Sequence, residues 1–168
     1  VLVAANDRAR LTVSFIRSGH ILGAAMLAME FHDLQTGAIE RVLHSGDFSL
    51  FDQPTIPGAD LEAVRDFRPS LFICEGTYGV DVHDDMVVEQ ARFVARVAEV
   101  LNRGGKVLIP AFAVGRAQNV ALILRDAMEN PARIRRILGD PNFSFPRTLI
   151  VIDGMCRTIA DEYTAFRH

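Results

Sequence analysis

The apolar residues of this 168-residue chain change their spacing near Tyr78, and no single regular element type accommodates both patterns. Before Tyr78 the chain reads as strands joined by loops. Leu11, Val13 and Phe15 alternate with Thr12 and Ser14, the period-two signature of a strand with one apolar face. Ala25–Phe31 and Ile39–Leu43 are two further apolar segments, and Gln35-Thr36-Gly37 between them reads as a hairpin connection. Residues 51–58 hold two prolines and a glycine and read as a loop. Ser70–Cys74 is a continuous apolar run of strand length, the pattern of a strand buried on both faces.

After Tyr78 the spacing is helical. Val87, Ala91, Val94, Val97 and Leu101 predict a helix over Asp84–Arg103, stopped by Gly104-Gly105. Lys106–Pro110 and Arg147–Ile152 read as short strands. Arg116–Met128 reads as a second helix, and Met155, Ile159, Tyr163 and Phe166 mark a third helical face. Helices alternating with strands imply an α/β domain with a parallel sheet. The expected division is therefore residues 1–79 and residues 80–168.

Hydrophobic residues make up 49% of the chain and charged residues 23%, enough apolar material for packed cores. No apolar run reaches the roughly 18 residues needed to span a bilayer, so no membrane association is expected. Cys74 and Cys156 stand far apart in sequence. A reduced thiol at Cys74, buried in its apolar run, points to a cytoplasmic protein. A net charge of −3 argues against broad electrostatic coating by nucleic acid, yet local cations or bound dications can still attract phosphate.

Three short segments carry the candidate chemistry. In Ser18-Gly19-His20-Ile21-Leu22-Gly23-Ala24, a histidine at a strand end is flanked by glycines that permit close approach. In Ser45-Gly46-Asp47-Phe48 an aspartate follows another glycine. Taken singly, each has an ordinary explanation as a surface or turn residue. Glu75, in Glu75-Gly76-Thr77-Tyr78-Gly79, directly follows an apolar strand, where open α/β sheets build their sites.

In order and spacing the three segments resemble the metallo-β-lactamase-fold nucleases that carry a β-CASP insert, the RNA 3′-end-processing endonucleases and, more distantly, RNase J. The resemblance continues through Asn102-Arg103-Gly104-Gly105-Lys106-Val107-Leu108-Ile109-Pro110-Ala111-Phe112-Ala113-Val114-Gly115-Arg116-Ala117-Gln118 and weakens between Glu129 and Pro146. It implies an α/β fold: part of a metallo-β-lactamase αββα sandwich over residues 1–79, then the start of a β-CASP α/β domain with parallel strands over residues 80–168.

The resemblance also implies roles. His20 corresponds to a histidine that ligates one of two zinc ions, and Asp47 to the carboxylate that bridges them and serves catalysis. Glu75 corresponds to a catalytic-site carboxylate that orients a histidine further along the chain. His83 and Arg116 are candidates for contacting substrate, Arg116 because a helix start suits a phosphate. His32 and His44 are read as surface residues. The family's His-x-His-x-Asp-His segment does not occur in these 168 residues. Because each zinc takes about four ligands, the chain by itself is expected to be incomplete and inactive.

The expectation is thus a fragment of a zinc-dependent ribonuclease, a metal-dependent hydrolase with two zinc ions per complete site, acting on RNA. A non-catalytic scaffold subunit of an RNA-processing complex is the alternative. A nucleotide-binding α/β domain at Pro110–Arg116 ranks below both, for no Gly-x-Gly-x-x-Gly or phosphate-loop lysine occurs. An uncovered sandwich would expose an apolar face, so association with itself or with missing parts of the same protein is also expected.

Overall fold

A computed structural model describes residues 1–165, in two units that divide between Gly79 and Val80. The first is a five-stranded sheet in sequence order: β1 (Leu2–Ala5), β2 (Ala9–Arg17), β3 (Ala25–Asp33), β4 (Ile39–His44) and β5 (Leu71–Ile73). The first four pair antiparallel, and β5 joins β4 in parallel. The β3–β4 hairpin forms where Gln35-Thr36-Gly37 predicts it. The Asp33 carboxylate accepts the Gln35 and Thr36 amides at 2.8 and 3.1 Å, and Gly37 takes a φ of 75° that a side chain would resist.

Register sorts the side chains onto two faces. Ile16 opposes Met26, and Ala28 opposes Leu43. Met26, Ala28 and Leu43 are buried beneath Ala59, Val64 and Phe67, supplied by a loop with a short 3-10 turn at Glu62–Val64. On the other face Phe15 opposes Leu27, Val13 opposes Met29, and Leu71 lies beside Val42. Much of that face is open. Phe15 is 66% exposed, and Phe31, Leu71 and Ile73 are exposed with it.

One expectation fails here. Leu71, Phe72 and Ile73 are all exposed, and so is the Cys74 thiol. The run is a strand, but it is the outermost one, bonded on one side only to β4. The covering loop packs on Met26, Ala28 and Leu43 and leaves it bare.

The second unit contains α1 (Met86–Asn102), α2 (Arg116–Glu129), α3 (Pro131–Leu138) and α4 (Met155–Ala165). Asp85 caps α1 by accepting the Val87 and Val88 amides at 2.8 and 3.1 Å. Gly104 ends it with a φ of 77°. Ala91, Val94, Val97 and Ala98 form the buried stripe of α1 and meet Leu124, Ala127, Ile134, Phe143 and Phe145. The helix α3, with Pro131 in its first turn and Gly139 as a left-handed cap, is not anticipated from the sequence. Phe166, part of the expected third helical face, lies outside the described residues.

The class is α/β as expected, but the parallel pair lies in the first unit. Lys106–Pro110 and Arg147–Ile152 carry no strand, and no ladder bonds join them among the described residues. Each turns one side chain, Ile109 or Ile150, toward the helical core, while Leu108, Leu149 and Val151 stay exposed. The alternation is that of a strand without a partner. No helix among the described residues is long and apolar enough to cross a membrane.

The contrast between faces is measurable. Val94 is wholly buried, so Val94→Ala is expected to destabilise the helical unit by on the order of 2 kcal/mol. Phe15→Ser should change stability by less than roughly 0.5 kcal/mol. Urea denaturation followed by circular dichroism of the two variants checks both, and a larger loss for Phe15→Ser would show that its face is covered.

Candidate metal centre

The centre is built where β2 and β4 run out. Past Arg17, Ser18 donates its amide to the Ala24 carbonyl, turning the chain through Gly19 and His20. Gly19 has a φ of 76°, and a Cβ there would stand 2.5 Å from the Ala59 nitrogen and 2.6 Å from the Ser49 oxygen. No other residue fits without displacing backbone. Gln53 then fixes the turn by donating Nε2 to the Gly19 and His20 carbonyls at 2.8 and 3.0 Å.

Beyond β4 the Ser45 amide donates to the Ile73 carbonyl, and Gly46 turns with a φ of 55°. His44 is half-buried, and its Nδ1 accepts the Gly46 amide at 3.0 Å. His32 is likewise half-buried, with its Nε2 3.8 Å from the Glu30 carboxylate. An isolated bridge between Gly19 and Phe48 lays the two turns side by side.

His20 and Asp47 are thereby brought together, Nε2 and Oδ2 standing 4.0 Å apart. The Asp47 carboxylate is 72% exposed and the imidazole 35%. Glu75 lies behind them. Its Oε1 accepts the Phe48 amide at 3.1 Å, and its own amide donates to Ser45 Oγ at 3.1 Å. The Phe48 amide chiefly, then the Thr77 hydroxyl, hold the Glu75 carboxyl below its ordinary range, with a smaller contribution from the charge of His20.

The other two candidates belong to the second unit. His83 sits in the irregular stretch before α1, and Arg116 is the first residue of α2, after Gly115. Sequence reading missed Ser18, Ser45 and Gln53. Ser18 is completely buried and donates Oγ to the Asp47 carbonyl at 2.8 Å; Ser45 is nearly so. The signal was available, since each candidate ligand ends a Ser-Gly-x triplet: Ser18-Gly19-His20 and Ser45-Gly46-Asp47.

An imidazole nitrogen and a carboxylate oxygen are both ordinary zinc donors. Two donors about 2.0–2.1 Å from one zinc stand roughly 3.3–3.4 Å apart at the tetrahedral angle, within a small rotation of the observed pair. The two residues fit part of a metal site. Among the described residues no third His, Cys, Asp or Glu joins them in a cluster able to hold an ion.

Curated relatives match about two thirds of the chain. The chain is 39% identical over 114 residues to cleavage and polyadenylation specificity factor subunit 3 of Dictyostelium discoideum, covering 68% of the chain and 14% of that protein. It is 36% identical over 107 residues to endoribonuclease YSH1 of Mycosarcoma maydis, 64% of the chain and 11% of the relative. Probable RNase MJ4 of Methanocaldococcus jannaschii is 38% identical over 109 residues, 65% and 24% respectively. The chain is homologous to β-CASP metallo-β-lactamase RNA-processing nucleases over about 65% of its length. It spans a quarter or less of the length of these three relatives. No family model matches it. The β-CASP metallo-β-lactamase nucleases are metal-dependent, which agrees with the donor chemistry of His20 and Asp47.

The Glu75 shift has a definite sign. A carboxyl lowered in the folded state adds stability that is fully present above its unfolded value of 4.5 and is lost as pH falls through the lowered value. The Glu75 side-chain carbon resonance should therefore titrate with its inflection below pH 4.5. An inflection at or above that value would mean that the Phe48 amide is not bonded to the carboxylate.

Proposed function

We propose that this chain contributes His20 and Asp47 to the two-zinc site of a ribonuclease that hydrolyses RNA phosphodiester bonds. The approach of His20 to Asp47, 4.0 Å between donor atoms on two separate turns, carries the reading. The named relatives support its substrate class, since an endoribonuclease and a probable RNase are among them. In this reading residues 1–79 are the later part of the metallo-β-lactamase domain and residues 80–168 the beginning of the β-CASP domain.

Each residue has a distinct task. His20 would hold one ion through an imidazole nitrogen, and Asp47 would offer its carboxylate to both. When bound, a pair of dications supplies Lewis-acid activation of water and neutralises charge on the phosphodiester. Glu75 holds a histidine from elsewhere in the complete protein in its working orientation. Arg116, opening α2, and His83 contact the RNA, where a guanidinium at a helix start complements phosphate. The reading carries a cytoplasmic location with it, where Cys74 and Cys156 would stay reduced.

Two donors cannot complete a four-coordinate site, so the 168-residue chain should bind zinc more weakly than micromolar. Resonances of His20 and Asp47 should respond to added Zn2+, and His20→Ala or Asp47→Ala should abolish the response. In the complete gene product, Asp47→Ala should reduce RNA cleavage by more than the roughly 10- to 100-fold typical for losing an outer hydrogen-bond partner. Full cleavage by Asp47→Ala would refute the proposal, as would micromolar tetrahedral zinc binding that survives it.

A further inference from the structure

We infer that Ser18 and Glu75 are positioning residues that grip the backbone of Asp47 from its two sides and so set its distance from His20. The inference rests on the reading of His20 and Asp47 as metal donors. It concerns a task for Glu75 distinct from orienting a histidine, and a task for Ser18 where none has been assigned.

Asp47 lies on a short turn after β4, and turns of that kind move readily unless their peptide groups are tied down. Here a single peptide group, the one joining Asp47 to Phe48, is tied at both its carbonyl and its amide. Ser18 Oγ donates to the Asp47 carbonyl at 2.8 Å, and Glu75 Oε1 accepts the next amide, that of Phe48, at 3.1 Å. The two groups that hold this peptide come from different places. Ser18 closes β2, two residues before His20, whereas Glu75 lies two residues past β5.

Each grip is itself anchored. Ser18 is sealed from water, with its amide bonded to the Ala24 carbonyl and its own carbonyl accepting the Ser49 amide. A buried hydroxyl in that position has no solvent to turn to, so the bond to Asp47 is obligatory. The Glu75 amide donates to Ser45 Oγ, and Ser45 Oγ donates to the Gly46 carbonyl at 2.7 Å. The turn from Ser45 to Phe48 is thus closed into a ring with Glu75. Since Ser18 also belongs to the His20 turn, the bond to Asp47 links the two donors through only Ser18 and Gly19.

The anchors leave the donor atoms alone. Ser18 and Glu75 act on the main chain, so the Asp47 carboxylate stays exposed and available to a cation. Loosening the clamp would broaden the separation between the donors without removing either. Outer partners of this kind commonly carry roughly 10- to 100-fold in metal affinity.

The test uses the 168-residue chain, Zn2+ alone as probe, and two NMR readouts: amide hydrogen exchange and zinc-dependent shifts at His20 and Asp47. Glu75→Ala should speed exchange at Phe48 roughly tenfold, the size of one net hydrogen bond, while Met29 in the sheet keeps its rate. It should also weaken the zinc response 10- to 100-fold or so. Glu75→Gln retains an acceptor oxygen and should restore both. Ser18→Ala should weaken the zinc response similarly; should its buried site fail to fold, the two Glu75 variants decide alone. Zinc shifts that need His20 and Asp47 yet are unchanged in Glu75→Ala would overturn the clamp and leave the donor reading standing. Zinc shifts unaffected by His20→Ala and Asp47→Ala would overturn the donor reading, and the clamp's role toward metal with it.

Discussion

A hydroxyl sealed from water must find an acceptor, and Ser18 finds it in the carbonyl of Asp47. That bond joins the ends of two strands that are not neighbours in the sheet, since β3 lies between β2 and β4. Strand pairing alone would align β2 with β3 and β3 with β4, and would say nothing about how the turns beyond them meet. The Ser18 bond, the bridge between Gly19 and Phe48, and the bonds from Gln53 settle that meeting. Gly19 makes it possible, because its missing Cβ is the space in which the Ser49 and Ala59 backbones lie. Position and chemistry are therefore consequences of one close backbone crossing.

The regular elements were largely legible, for a reason that also explains the failures. Leu11, Val13 and Phe15 show their period because they share one face of β2, although on that face Val13 is buried and Phe15 stays open. The α1 stripe shows its period because Ala91, Val94 and Val97 all meet the same core. Hydrophobic pattern reports a residue's tendency to be buried, and where a partner exists the tendency is realised. For Leu71–Ile73 and for the segments holding Leu108 and Leu149 the tendency is intact and no covering surface is present among the described residues. Pattern could not distinguish these cases. The helix α3 was missed for the opposite reason: its single buried residue, Ile134, among Arg133, Arg135 and Arg136, gives too short a stripe to recognise.

The candidate centre divides in the same way. His20, Asp47 and Glu75 were visible as residue types in glycine-flanked segments. Their hydrogen-bond partners were not. Serine and glutamine are common on surfaces, so Ser18, Ser45 and Gln53 have no compositional mark that separates a buried, bonded copy from a solvated one. Only the repetition of Ser-Gly before each candidate donor hinted at it. A repeated triplet is a weak cue because its meaning depends on two turns meeting, which is a tertiary fact.

The arrangement also bears on how a donor pair can be rigid and available at once. A carboxylate held through its own oxygens would have to surrender those bonds before accepting a cation, and the cost would be charged against binding. Asp47 avoids the conflict, because Ser18 and Glu75 hold its flanking peptide while its carboxylate remains mostly in water. Glu75 shows the other solution. Its carboxylate is occupied by the Phe48 amide and Thr77 and is kept ionised by them, which suits a group that restrains a neighbour better than one that must receive a metal. Two acids within one small cluster are thus set apart by what their oxygens already touch: the exposed one is free to ligate, and the engaged one holds it in place.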